Sequence, residues 1–382
     1  MPAAVGDGPG WLTGVFAGGL GVGGGAYYGF LWIAFLSYLA VLAAAPALDP
    51  RLLWTAIVTL LLTFALAPPL LSQDVFSYIS YARLDAEHGL NPYLDPPSAV
   101  PGDEAFPYVG WRDTSSAYGP LFTLLGHPLG LLTVPAALWA LKAAAALAVL
   151  ALAVLCARVA PLRGLDPRAA AALVALNPLV LVHVVGGAHN DALMMLLVLA
   201  GCAALLAARE GEGGAGLLAA VGVKVSAAFA VPFALLGAAD RWRLASGALA
   251  ALVALAGASL LLFGTHALDA VGLAGENQAR TSHYSLPSTV ARILGVGVEP
   301  VRIAALAAYG VFVLWLLAWV RRGADWLRAA GWAALGLLLA SGWLLPWYLI
   351  WVLPLAALAR DRALTGMVLA LTAFQLINRI PL

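Results

Sequence analysis

Charge is what this sequence has least of. Its 382 residues include 20 Lys and Arg and 19 Asp and Glu, 10% in all with a net charge of +1, where soluble domains hold about 25%. No cluster of Lys or Arg is present, which excludes a nucleic-acid partner, since that requires a basic stripe. Cysteine is nearly missing as well. Cys156 and Cys202 fall in apolar runs and read as buried thiols, not as a disulfide framework. Metal-type Cys/His spacing, a P-loop and a nucleophile elbow are absent, as are the alternating strands of a membrane barrel and any solenoid-period repeat or duplicated half. No basic stretch precedes the first apolar run, so the first span is expected to direct insertion without a cleaved signal peptide.

What is there is apolar: 63% hydrophobic residues and a mean hydropathy of +0.93. Such a chain cannot cover its own surface with polar groups in water, so lipid is its solvent. In lipid each backbone N–H and C=O must be satisfied internally, which leaves helices. The expected fold is all-α, one polytopic transmembrane bundle over residues 1–382 with about ten spans. Apolar runs near the required length of about 20 residues lie at 26–46, 52–71, 134–158, 169–186, 191–208, 244–263, 301–320, 329–345, 348–359 and 364–380. Arg51, then Arg158, Arg163 and Arg168, Arg209, Arg241 with Arg243, Arg321 with Arg322 and Arg328, and Arg360 with Arg362 occupy short connections. By the positive-inside rule they mark the cytoplasmic face. The stretch 213–239 has arginines beyond both ends but the length of one crossing, so a broken or re-entrant hairpin is expected there.

The opposite, outer face then receives two long segments, 72–133 and 264–300, and the short turns Gly187–Asp191 and Pro346–Tyr348. The first segment holds seven of the nineteen acids: Asp74, Asp85, Glu87, Asp95, Asp103, Glu104 and Asp113. Loops longer than about 15 residues are functional or disordered, and the aromatics here, Tyr78, Tyr81, Tyr93, Phe106, Tyr108, Trp111, Tyr118 and Phe122, argue against disorder. Residues 72–89 read as a helix with Ser72 as N-cap and Gly89 as its stop. Asp74, Tyr78, Tyr81, Asp85 and His88 share one face of it, with the two aspartates about 16 Å apart, too far to act as a carboxylate pair. Asp74 stands where the chain leaves the membrane, either as a reactive carboxylate or as a helix-terminus charge.

Four further groups stand out. Gly186-Gly187-Ala188-His189-Asn190-Asp191 is either a tight hairpin with a helix cap or a polar site. Lys224 lies in the apolar run Val221–Ser226, where an ammonium costs at least about 2.5 kcal/mol at mid-depth unless paired or wet; a functional role competes with snorkelling to the interface. Glu276, Asn277, Arg280, Thr281, Ser282, His283 and Tyr284 form a donor-rich set suited to an anionic head group. Trp343, Trp347, Tyr348 and Trp351 surround Pro346 and read first as an interfacial aromatic belt.

Asp74-Val75-Phe76-Ser77-Tyr78, Gly89-Leu90-Asn91-Pro92-Tyr93, Tyr118-Gly119-Pro120-Leu121, Gly186 to Asp191, Val223-Lys224-Val225-Ser226 with Pro232-Phe233, and Pro346-Trp347-Tyr348-Leu349-Ile350-Trp351 occur in this order. Together they resemble the bacterial polyprenol-phosphate-mannose-dependent α-1,6-mannosyltransferases of the GT-C superfamily. The resemblance implies inverting transfer of a sugar, mannose above all, from a polyprenyl-phosphate donor to a glycan or glycolipid hydroxyl at the outer face of the plasma membrane. Asp74 would be the general base. Arg280, His283 and Lys224 are candidates for the donor phosphate, and Tyr78, Tyr93, Tyr118, His189, Asn190, Asp191, Trp347 and Tyr348 for the sugar or acceptor. The physical reading agrees, because an attacking hydroxyl must lose a proton whereas a phosphate leaves with little protonation. No metal site is assigned, although Asp74 and Asp191 leave a divalent cation open. The alternative is a transporter or flippase for a lipid-linked sugar, motivated by Lys224 and the broken segment, or a scaffolding membrane protein.

Overall fold

A computed structural model describes residues 9–13 and 24–376, apart from the side chains of residues 271, 274, 277 and 278. The start of the chain, the last residues of the expected 364–380 span and the Asn277 side chain therefore lie outside the described residues. The helices run, in order, α1 Gly24–Ala44, α2 Pro50–Leu66, α3 Asp74–Ala86, α4 Pro120–Gly130, α5 Val134–Val159, α6 Pro167–Ala175, α7 Asp191–Leu206 and α8 Glu210–Val223. After these come α9 Val231–Gly237, α10 Arg241–Phe263, α11 Asp269–Ala279, α12 Leu286–Leu294, α13 Val298–Arg321, α14 Trp326–Ala340, α15 Leu353–Leu358 and α16 Arg362–Gln375. Among the described residues there is no strand.

Among the described residues four segments are long and apolar enough to cross a membrane: Gly25–Ala47, Val134–Arg163, Arg241–Leu268 and Val298–Arg321. The other apolar runs form shorter helices, including Pro50–Leu66, Asp191–Leu206 and Trp326–Ala340. Several are cut by proline or by a change of helix type. The run 169–186 splits into α6 and a π-helical turn, Val180–Val185, because Pro178 lacks the N–H to continue α6. Pro354 similarly interrupts the run 348–359, which falls into the 3-10 turn Pro346–Trp351 and α15. Residues 213–239 are broken at Lys224, whose extended backbone (φ −155°, ψ 124°) separates α8 from the 3-10 turn Val225–Ala230 and α9.

The arginine-bearing turns share one device. Asp49, Asp166, Asp240, Asp325 and Asp361 each accept backbone N–H bonds at the start of α2, α6, α10, α14 and α16, and each such cap contributes about 1 kcal/mol. Ion pairs tie these turns together: Arg163 with Asp325, and Arg328 with Asp361 at 2.6 Å. The middle of the bundle is held by small residues. α8 packs on α10 where Gly214 and Gly247 meet the carbonyls of Leu244 and Gly211, and on α7 through Gly201 and Gly213. Without a side chain at these points the backbones approach closely, which is how helices associate in lipid. This packing sets where the C-terminal end of α8, and with it Lys224, comes to rest.

The Tyr118–Leu121 motif docks there. The Gly119 amide donates to the Val223 carbonyl at 3.0 Å, and a Cβ on Gly119 would collide with the carbonyl of Gly222. Gly119→Ala is expected to push α4 off α8 and displace Lys224, costing roughly 1–3 kcal/mol. Thermal unfolding in detergent reads the loss, and an unchanged midpoint would contradict this account of the contact.

Candidate active site

The end of the bundle away from the arginine turns gathers the polar groups. Asp74 is the first residue of α3, preceded by Gln73, with the Ser72 hydroxyl accepting its amide at 3.2 Å. The helix thus starts one residue later than the expected Ser72 cap would put it, and α3 ends at Ala86 ahead of Gly89, whose φ of 64° suits a stop. The Trp111 indole donates to Asp74 Oδ1 at 3.0 Å, and His189 Nδ1 lies 3.7 Å from Asp74 Oδ2. Burial is the main cause that raises the Asp74 pKa above its ordinary value; the Trp111 bond and the nearby Lys224 charge oppose the rise, and Asp191 adds to it.

The 186–191 turn is anchored from two sides. The Gly186 carbonyl accepts the Leu70 amide at 3.1 Å and the Lys142 ammonium at 2.7 Å. Lys142 is fully buried in α5. Sequence reading passed it over, although a single cation inside a long apolar run is the same signal that drew attention to Lys224. Ala188 adopts φ 57°, a left-handed conformation uncommon outside glycine. It turns His189, Asn190 and Asp191 inward. Asp191 opens α7, where a carboxylate is favoured, and it is fully buried.

Asp191 Oδ1 accepts the Lys224 ammonium at 2.8 Å and the Trp351 indole at 2.6 Å. Lys224 Nζ also sits over the rings of Tyr348 (4.8 Å) and Trp351 (5.4 Å), a favourable placement for a desolvated cation. The Trp347 ring stacks on His189 at 3.7 Å. The expected aromatic belt is therefore overturned for Trp347, Tyr348 and Trp351: all three are buried. The 3-10 turn after Pro346 directs them onto the 189–191 hairpin instead of toward the lipid boundary. Both ring nitrogens of His189, both amide atoms of Asn190 and Asp191 Oδ2 are buried without a hydrogen-bond partner among the described residues. Each costs roughly 1–3 kcal/mol, and such a concentration of unpaired polar atoms marks a functional centre.

Tyr78 packs edge-on against Tyr118 at 4.9 Å, beside this cluster. Arg280, exposed, stacks over Trp111 at 4.6 Å and so reaches the group that holds Asp74. Its segment is fastened by Ser282, whose amide donates to Gly342 and hydroxyl to Leu344. His283 is exposed, and its carbonyl accepts Arg292 at 2.5 Å; Arg292 is a cation that sequence reading did not single out. Two residues stand apart. Tyr93 lies behind Tyr118, bonded to Thr123 at 2.8 Å and packed on Phe263, and Asp85 pairs with His127 at 2.6 Å. Glu87, His88 and Asp103 bring three ligand-type atoms within 4.8 Å of one another. Arg83, however, pairs with both Asp103 (2.9 Å) and Glu87 (2.6 Å), so that cluster is a closed ion-pair network.

Comparison with known proteins sets this geometry in a family. The model of the alpha-(1->6)-mannopyranosyltransferase N-terminal domain matches residues 13–240, a stretch that contains Asp74, Tyr118, the 186–191 turn and Lys224. The chain belongs to this family. It is a mannosyltransferase family of GT-C type, in keeping with the apolar helices of a membrane protein. Among its relatives, alpha-(1->6)-mannopyranosyltransferase A of Corynebacterium glutamicum is 30% identical over 193 residues, 50% of this chain and 39% of the relative. A probable alpha-(1->6)-mannopyranosyltransferase of Mycolicibacterium smegmatis is 30% identical over an alignment covering 84% of this chain and 66% of the relative. One from Mycobacterium tuberculosis is 34% identical over 149 residues, 37% of this chain and 25% of the relative. The chain thus spans less than two thirds of the length of each. No solved structure matches it.

Proposed function

We propose that this protein transfers mannose from a polyprenyl-phosphate donor to a hydroxyl of a glycan or glycolipid at the outer face of the plasma membrane, inverting the anomeric centre. It would do so as a polytopic GT-C bundle of about ten spans, with 72–133 and 264–300 forming the active-site face. The observation that carries the reading is the Asp74 carboxylate at the head of α3, held by Trp111 on one oxygen and facing His189 with the other. An acceptor hydroxyl would give its proton to Asp74 Oδ2 as its oxygen attacks C1 of the sugar, and the C1–O bond to the phosphate would break on the opposite side. One carboxylate serves such an in-line displacement. Arg280, an exposed cation stacked on Trp111, would receive the departing phosphate, with His283 and Arg292 on the same segment. Lys224 is bound to Asp191, so it adds positive charge while holding the hairpin. These cations, in this reading, take the part a divalent cation would otherwise play. Tyr78, Tyr118, His189, Asn190, Trp347 and Tyr348 shape the sugar site.

The test is transfer of labelled mannose from polyprenyl-phosphate mannose to a mannoside, followed across pH. Asp74 must be ionised to act, and its pKa is raised by burial. The rate should therefore fall as pH drops through a midpoint above the ordinary aspartate value of about 3.9. Trp111→Phe removes a bond that stabilises the ionised form, so it should move that limb to higher pH. A limb that Trp111→Phe leaves in place would separate Asp74 from the step. Absence of transfer, with movement of the sugar lipid across vesicles, would favour a flippase.

A further inference from the structure

A groove of about 780 Å³ opens at the other end of the bundle, between α1, α6 and α16. It is much larger than the packing defects of a well-filled interior. Leu39 and Leu42 of α1, Leu173 of α6 and Leu369 of α16 form apolar walls, and Arg360 and Arg362 line the same groove where α16 begins. Two acids also line it, but both are committed. Asp166 accepts Arg168 at 3.1 Å and the first amides of α6, and Asp361 accepts Arg328, the Trp332 indole and the first amides of α16. Among the described residues neither Arg360 nor Arg362 has an acidic partner. Two exposed guanidinium charges therefore stand uncompensated beside a leucine-lined slot.

We propose that this groove binds an anionic phospholipid, with an acyl chain against α1 and α16 and the head-group phosphate on Arg360 and Arg362. A free phosphate would gain nothing from the leucine walls, and a zwitterionic lipid would gain little from the arginines. Guanidinium groups bind phosphate through paired N–H bonds, and basic residues at a membrane surface select acidic lipids. The groove is remote from Asp74. The 17 residues of α2 span about 25 Å between the two ends. The assignment rests on the membrane-embedded reading of these helices, but lipid retention is measured separately from sugar transfer.

The experiment equilibrates the full chain with nanodiscs of equal phosphatidylglycerol and phosphatidylcholine and identifies retained lipid by native mass spectrometry. Wild type should keep one phosphatidylglycerol, enriched about tenfold or more over phosphatidylcholine. The R360Q/R362Q double variant should lose the enrichment. Gly366→Leu fills the groove, since a Cβ there meets nothing within 4 Å, and should lose the retained lipid with both arginines intact. Equal retention of the two lipids by wild type, or enrichment that survives both variants, would overturn the proposal. So would a dimer that Gly366→Leu abolishes, which would give the groove to a second copy of the chain.

Discussion

Asp74→Asn should lower mannosyl transfer by roughly 10²- to 10⁴-fold, the usual share of a positioned general base, while leaving the protein folded. The side chain keeps its shape, and its remaining carbonyl oxygen can still accept the Trp111 indole. What is lost is the capacity to take a proton. Because burial disfavours the ionised form at this site, removing the charge should not destabilise the fold, and an unfolding midpoint at or above that of wild type is expected alongside the loss of rate. This pairing of outcomes is diagnostic. A carboxylate that merely favoured the start of α3 would cost some tenths of a kcal/mol on removal and leave transfer nearly intact. Transfer within a factor of a few of wild type would remove Asp74 from the chemistry.

The second large effect is expected at Asp191 and Lys224. Asp191 is fully buried and its partner is 17% exposed. Breaking a buried pair by removing one member strands the other charge and costs about 3–5 kcal/mol, so Asp191→Ala and Lys224→Met should each unfold at markedly lower temperature. In Asp191→Ala the ammonium keeps its place over Tyr348 and Trp351 and is partly solvated; in Lys224→Met the fully buried carboxylate is left, among the described residues, with the Trp351 indole as its one side-chain donor. Lys224→Met should therefore be the more damaging. The double variant Asp191→Ala/Lys224→Met should recover much of the stability, since no charge is left buried, but not the transfer rate. A thermal-melt double-mutant cycle with the same assay separates the two. Additive losses of stability would mean that the pair is not coupled as its geometry requires, and a double variant with full activity would reduce it to a structural clasp.

Some of this site announced itself locally. Lys224 in an apolar run, Asp74 at the end of another, and the Gly-Gly turn before His189 are conspicuous because their costs are local: an ammonium must be paired, a carboxylate desolvated, a chain reversed. Lys142 carried the same signal and was passed over, its single charge diluted in the 26 residues of α5. Trp111 could not be distinguished from its aromatic neighbours, since its role is one hydrogen bond reached across 37 positions. Trp347 and Trp351 were misread for a physical reason. An amphipathic indole suits a membrane boundary and a buried carboxylate equally well, and the difference lies in where Pro346 aims the rings.

Composition alone therefore dictated helices, because in lipid each backbone group must find its partner within its own segment, and hydropathy is a sum over neighbouring residues. The proline and glycine positions further fixed where those helices stop or touch. Which polar groups meet was a matter of packing. Asp191 and Trp351 are 160 positions apart, and their contact depends on the rotation of α7 and on the 3-10 turn after Pro346. Lys224 reaches the same carboxylate through the glycine-mediated seating of α8. No local rule encodes such rotations, because each results from many small contacts between helices that compete over the whole bundle.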